Sequence, residues 1–142
     1  MKRYEFLEHV SDAYIAAYGK TLEEAFQNAA EAMFQTMIET GTVALTLEET
    51  VTAEGRDREA LLYNWLETLL LKFDMEGKVY SKFEVEKIEK RNSEFALKAT
   101  IRGELYNADK HEPKVEVKAV TYHQMAVKEH KGGYELKFIL DL

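Results

Sequence analysis

Near Lys78 the apolar residues of this 142-residue chain change period, and that change limits the folds open to it. Upstream they recur every three or four residues. Leu22, Ala25, Phe26, Ala29, Met33 and Met37 trace one face of a helix that ends before Gly41. Leu62, Trp65, Leu66, Leu69, Leu70 and Phe73 trace one face of a second helix over about residues 58–73. Thr21 with Glu24 has the form of a capping box, and Asp57 suits the N-cap of the second helix. Downstream the pattern is that of strands. Residues 79–90 and 94–106 read as partners around the turn Arg91-Asn92-Ser93. Residues 114–128 open with clean alternation, and Gly132-Gly133 turns the chain into a last strand over 134–142. In that strand Tyr134, Leu136, Phe138 and Leu140 share one face, and Glu135, Lys137, Ile139 and Asp141 the other.

Two further strands lie among the helices. Residues 13–18 form an apolar run bounded by Gly19, and residues 42–55 are rich in Val, Leu and Thr. Residues 4–7 read as a short strand or an extended lead-in, and the polar stretch 107–113, with the only proline, as a loop. The order β-α-β-α-β-β-β-β predicts an α+β fold over residues 1–142 as a single domain, two helices packed on a largely antiparallel sheet.

Composition narrows the function classes. An apolar fraction of 46% with 32% charged residues describes a soluble globular chain. No window reaches the roughly 18 consecutive apolar residues of a membrane span. With no cysteine there is no disulfide, thiolate zinc site or thiol nucleophile, which fits a cytoplasmic protein. A net charge of −7 argues against a general binder of nucleic-acid backbone. Residues 107–142 hold six Lys against six Asp or Glu, so the whole imbalance belongs to residues 1–106.

Familiar catalytic motifs are missing. Gly132-Gly133 lacks the strand–loop–helix setting of a phosphate loop, no Gly-x-Ser-x-Gly elbow occurs, and Ser11 beside His9 and Asp12 is not a triad. Hard divalent ions take oxygen ligands. Asp12 before a strand, Asp141 near the chain end and the Leu142 carboxylate are candidate donors. The competing reading makes Asp12 a turn former and Asp141 a solvated end. Lys118 and His123 fall on opposite parities of a regular strand, so a bulge or a strand end is needed to bring both to one site. The plainer reading is a strand-face Lys and a partly buried His. His111 and His130 are expected to be solvated in loops.

Three pieces of the chain together resemble the archease family, small accessory proteins of RtcB-type RNA ligases. They are His9-Val10-Ser11-Asp12 with Gly19, Lys118-Ala119-Val120-Thr121-Tyr122-His123, and Leu140-Asp141-Leu142. The family often reads His-Thr-Ala-Asp in the first piece; Val10 and Ser11 depart from it while His9 and Asp12 remain. The resemblance spans essentially the whole chain. It implies a non-catalytic activator that promotes GTP-dependent guanylylation and multiple turnover of the ligase in tRNA splicing and RNA repair. RNA would be met only through the ligase, which also uses the GTP. Carried over, Asp12 and Asp141 become ligands of a divalent metal (Ca, Mg or Mn), with the Leu142 carboxylate as a third. Lys118 becomes a required basic residue, and His9 and His123 supporting ones. Two other readings compete. A stand-alone metal-dependent phosphoesterase or nucleotide hydrolase needs a general base and a second anchoring group. A general chaperone-like module needs a large exposed apolar patch and is indifferent to Asp12 and Asp141.

Overall fold

The computed structural model describes residues 2–7 and 11–142. Among them, seven strands and three helices follow one another as β1 (Tyr4–Leu7), β2 (Asp12–Gly19), α1 (Leu22–Met37), β3 (Leu47–Gly55), α2 (Arg58–Glu76), β4 (Lys78–Arg91), β5 (Glu94–Leu105), α3 (Ala108–His111), β6 (Ala119–His130) and β7 (Gly133–Asp141). This is the expected α+β class and element order. All strand pairs are antiparallel, but the strands divide between two sheets, one ordered β1-β2-β7-β6 and the other β3-β5-β4.

Local chemistry sets the helix ends. The Thr21 hydroxyl accepts the Glu24 N–H at 3.1 Å, and the Glu24 carboxylate reaches back to the Lys20 N–H, one residue before the cap. Asp57 accepts the Ala60 N–H at 2.7 Å. The second helix runs past Phe73 and stops where Gly77 takes a left-handed conformation, φ 65°, and returns its N–H to the last turn.

The helices form the layer between the sheets. α1 packs on β2 and β7 of one sheet and on β4 of the other, while α2 packs on β6 and on β3. Each helix is therefore buried on more than the single stripe its sequence suggests. Besides that stripe, α1 buries Ala30, Ala32 and Phe34. The Phe34 ring lies 5.8 Å from Tyr80 and 5.6 Å from Phe83 on β4. The helices are tied to each other by the fully buried Trp65, whose indole N–H donates to the Phe26 carbonyl at 3.0 Å.

Between β5 and β6 the chain departs from expectation. β6 begins at Ala119, not 114, because the Lys114 N–H goes to the Met37 carbonyl at the end of α1 instead of to a strand. The expected loop contains α3, and His111 is fully buried, which corrects its reading as a solvated residue. Its Nδ1 accepts the Asn107 N–H at 2.9 Å, so Nε2 carries the proton donated to Glu104 at 2.7 Å. His130 ends β6 and is exposed, as expected.

Glu104 also receives Lys110 and the Ala44 N–H. These donors, Lys110 first, hold its carboxyl at about 2, below the ordinary 4.5. A carboxylate with a depressed pKa stabilises the fold above its unfolded value and loses that contribution as pH falls through its folded value. Wild type should therefore exceed Glu104→Gln by roughly 1–2 kcal/mol near neutrality, after allowance for solvent screening. The gap should close between about pH 4.5 and 2 in urea unfolding followed by circular dichroism. A gap unchanged at pH 2 would exclude the charge as its source.

Candidate metal centre

β2 and β7 are the central strands of the four-stranded sheet. Alternation sends Ile15, Ala17, Leu136, Phe138 and Leu140 into the core against the helices. Asp12 and Asp141 have the other parity, so they lie on the sheet face turned away from the helices. The β2–β7 register sets Asp12 directly opposite Asp141. Residues so opposed share a face, with Cβ atoms about 4.5–5.5 Å apart. Residues from near the two ends of the chain thus become neighbours.

The third strand completes the arrangement. Across β6, Ala119 is the partner of Asp141, so Asp141 stands between a carboxylate and a methyl group. Lys118, just before β6, donates its N–H to the Asp141 carbonyl at 2.7 Å and brings one positive charge to the same strand ends. Ile139, 1% exposed, and the fully buried Leu140 anchor β7 up to Asp141. Leu142 packs against the core and holds the main chain beyond it.

Like charges directly opposed on a sheet repel. Two carboxylates on stiff, hydrogen-bonded backbone are also the donor type that hard divalent cations take. The fit is that of an open site. Among the described residues no group of three or more His, Cys, Asp or Glu side chains converges, so the remaining positions would fall to main-chain oxygen, water or a ligand phosphate.

Of the other expected site residues, His123 is exposed and lies in the bulge where the β6–β7 register jumps from Thr121 to Ala126, displaced along the strand from Asp141. Its N–H donates to the Thr121 hydroxyl at 3.1 Å. Next to it Tyr122 stacks on Tyr63 of α2, ring centroids 4.3 Å apart. His9 lies outside the described residues. Sequence reasoning missed Ala119, whose small side chain leaves Asp141 uncrowded; only the strand register reveals it.

Among the described residues no helix is long and apolar enough to cross a membrane. A model of the Archease protein family (MTH1598/TM1083) matches residues 4–142. Protein archease of Pyrococcus abyssi is 47% identical over 133 residues, covering 94% of this chain and 93% of its own. Protein archease of Sulfolobus acidocaldarius is 41% identical over 142 residues, covering all of both chains. The solution structure of Methanobacterium thermoautotrophicum protein 1598 superposes with a TM-score of 0.87 at 40% identity, covering both chains fully. A Thermotoga maritima archease, described as a possible chaperone, shares the fold at a TM-score of 0.62 and 19% identity, covering 97% of this chain and 96% of its own. With the family match spanning nearly its whole length and full-length relatives at this identity, the chain belongs to the archease family.

Proposed function

We propose that this chain is a cytoplasmic, non-catalytic activator of an RtcB-type RNA ligase, acting in tRNA splicing and RNA repair by promoting guanylylation of the ligase. The observation that carries the reading is the register that sets Asp12 against Asp141, with the Lys118 N–H on the Asp141 carbonyl. Guanylylation moves a nucleotidyl group from a triphosphate, so its transition state needs charge neutralised and the pyrophosphate held in line. A divalent metal bound at this site would supply that neutralisation. Asp12 and Asp141 would hold it, joined by an oxygen of Leu142. Lys118 would orient phosphate oxygens from the same strand end, acting as a compact point charge.

Placement on a strand end supports an activator. Asp141 and Lys118 are exposed there and can reach into a partner's active site. The net charge of −7 also keeps the chain from competing with the ligase for RNA.

The test is single-turnover guanylylation of the ligase from the same source, with this chain substoichiometric. Wild type should accelerate the step and permit repeated turnover. Asp12→Ala and Asp141→Ala should return the ligase to its unassisted rate, and Lys118→Ala should reduce the acceleration by roughly tenfold or more. Full stimulation by both Asp variants would refute the proposal.

A further inference from the structure

At the other end of the four-stranded sheet, about 23 Å from the carboxylate pair by the eight-residue length of β2, a second polar site is built. There β2 ends and β7 begins, Gly19 opposite Tyr134, beside the N-termini of both long helices. A cleft of about 760 Å³ opens between them, lined by Lys20, Glu23, Arg58, Phe95, His130 and Tyr134 among others. Its size is that of a small-molecule site.

Arg58 is the unusual member. Its guanidinium carbon lies 5.8 Å from the Phe95 ring centroid and 5.6 Å from that of Tyr134, so two rings hold it in place. Its Nε is shut off from solvent and has no hydrogen-bond partner among the described residues. A buried donor left unmade costs about 1–3 kcal/mol. The nearby carboxylates do not meet that need. Glu129 stands 3.8 Å from a terminal nitrogen of Arg58, and Glu23 is engaged with the Ile88 N–H at 3.1 Å. Lys20 and His130 bring further nitrogen to the cleft.

We propose that this cleft binds a phosphate monoester of mononucleotide size. The phosphoryl group sits on Arg58 and Lys20 at the start of α1, and the organic body lies along Ile88 and Tyr134. The terminal nitrogens of a guanidinium fixed between rings form a fork that matches phosphate oxygens, at little entropic cost on binding, and phosphate would displace the exposed Glu129 carboxylate that faces one of them at 3.8 Å. Inorganic phosphate alone fills only part of such a volume, so the monoester should bind more tightly.

The test uses the chain without any ligase, so it is independent of the activator function. Adenosine 5′-monophosphate, adenosine, inorganic phosphate and acetate are titrated by calorimetry and by amide chemical-shift mapping. Saturable binding of the monophosphate is expected, with weaker binding of phosphate and none of adenosine or acetate. The perturbed amides should map to residues 20–23 and 130–134. Arg58→Gln should weaken binding by roughly tenfold or more. Lys20→Ala, at an exposed position that folding tolerates, should weaken it severalfold, and Asp141→Ala should leave it unchanged. Absence of saturable binding at about 10 mM, equal binding of acetate, shifts that map elsewhere, or undiminished binding by both cleft variants would overturn the proposal.

Discussion

Metal-free Asp141→Asn protein should unfold at a higher temperature than metal-free wild type, and divalent cations, which the proposed site predicts should stabilise the wild type, should leave the variant unchanged. Both effects come from the opposition of Asp12 and Asp141 across β2 and β7. Removing one of two like charges directly opposed on a sheet relieves roughly 0.2–1 kcal/mol. The exchange is isosteric, and it leaves intact the Lys118 N–H bond to the residue 141 carbonyl. Bound cation stabilises the folded state by about 2.7 kcal/mol at a hundred times its dissociation constant. For a chain of this size that amounts to a rise on the order of 10 °C. Scanning calorimetry in chelator and across a Ca²⁺ or Mn²⁺ titration reads both effects, with matched ionic strength separating site binding from screening. If Asp141→Asn keeps the full cation-dependent rise, the carboxylates are not the ligands.

How much of this arrangement can be read from the chain depends on whether the physics is local. The helix starts at Thr21 and Asp57 follow from side chains that satisfy backbone donors three residues away. Alternation likewise assigns Leu136, Phe138 and Leu140 to the core and Asp141 to the opposite face. Pairing is a different matter. Alternation says which face a residue occupies but not which strand lies beside it, so the division into two sheets is invisible in the pattern. The placement of Asp12 against Asp141 joins residues from opposite ends of the chain. The family resemblance anticipates it, because it implies that both Asp residues serve one metal; neither motif alone implies the other.

The misread segments show the same limit. Val115 and Val117 alternate with charged residues as a strand would, yet Lys114 closes the end of α1 and β6 starts only at Ala119. His111 lies in a polar stretch that resembles solvated loop. It is buried because Asn107, Glu104 and its own ring form a closed set of hydrogen bonds. Polar residues that satisfy one another can enter a core, and composition does not reveal it. Arg58 is a parallel case: its two aromatic neighbours come from β5 and β7, so no local spacing hints at the cleft.

Trp65→Ala should be the most destabilising of these substitutions, and its effect should separate cleanly from function. Trp65 is 0% exposed and its indole N–H ends on the Phe26 carbonyl, so it fills the seam between the two helices. Each helix in turn packs on both sheets, so a cavity at that seam loosens every layer contact at once. Truncation of a buried Trp costs about 3–5 kcal/mol, a large share of the roughly 5–15 kcal/mol that ordinarily holds a domain together. The midpoint should fall by on the order of 10 °C or more. Trp65→Phe keeps most of the ring volume and loses the hydrogen bond, so it should cost about 1–2 kcal/mol. Leu71→Ala, on the exposed side of the same helix, should change stability by no more than about 0.5 kcal/mol. Trp65→Phe should also retain the cation-dependent rise expected of the wild type, because the carboxylate pair lies on the sheet face turned away from the helix layer that holds Trp65. Loss of that rise in Trp65→Phe would show that the strand ends depend on the helix layer for their geometry, and the proposed metal site could then no longer be treated as a property of β2 and β7 alone.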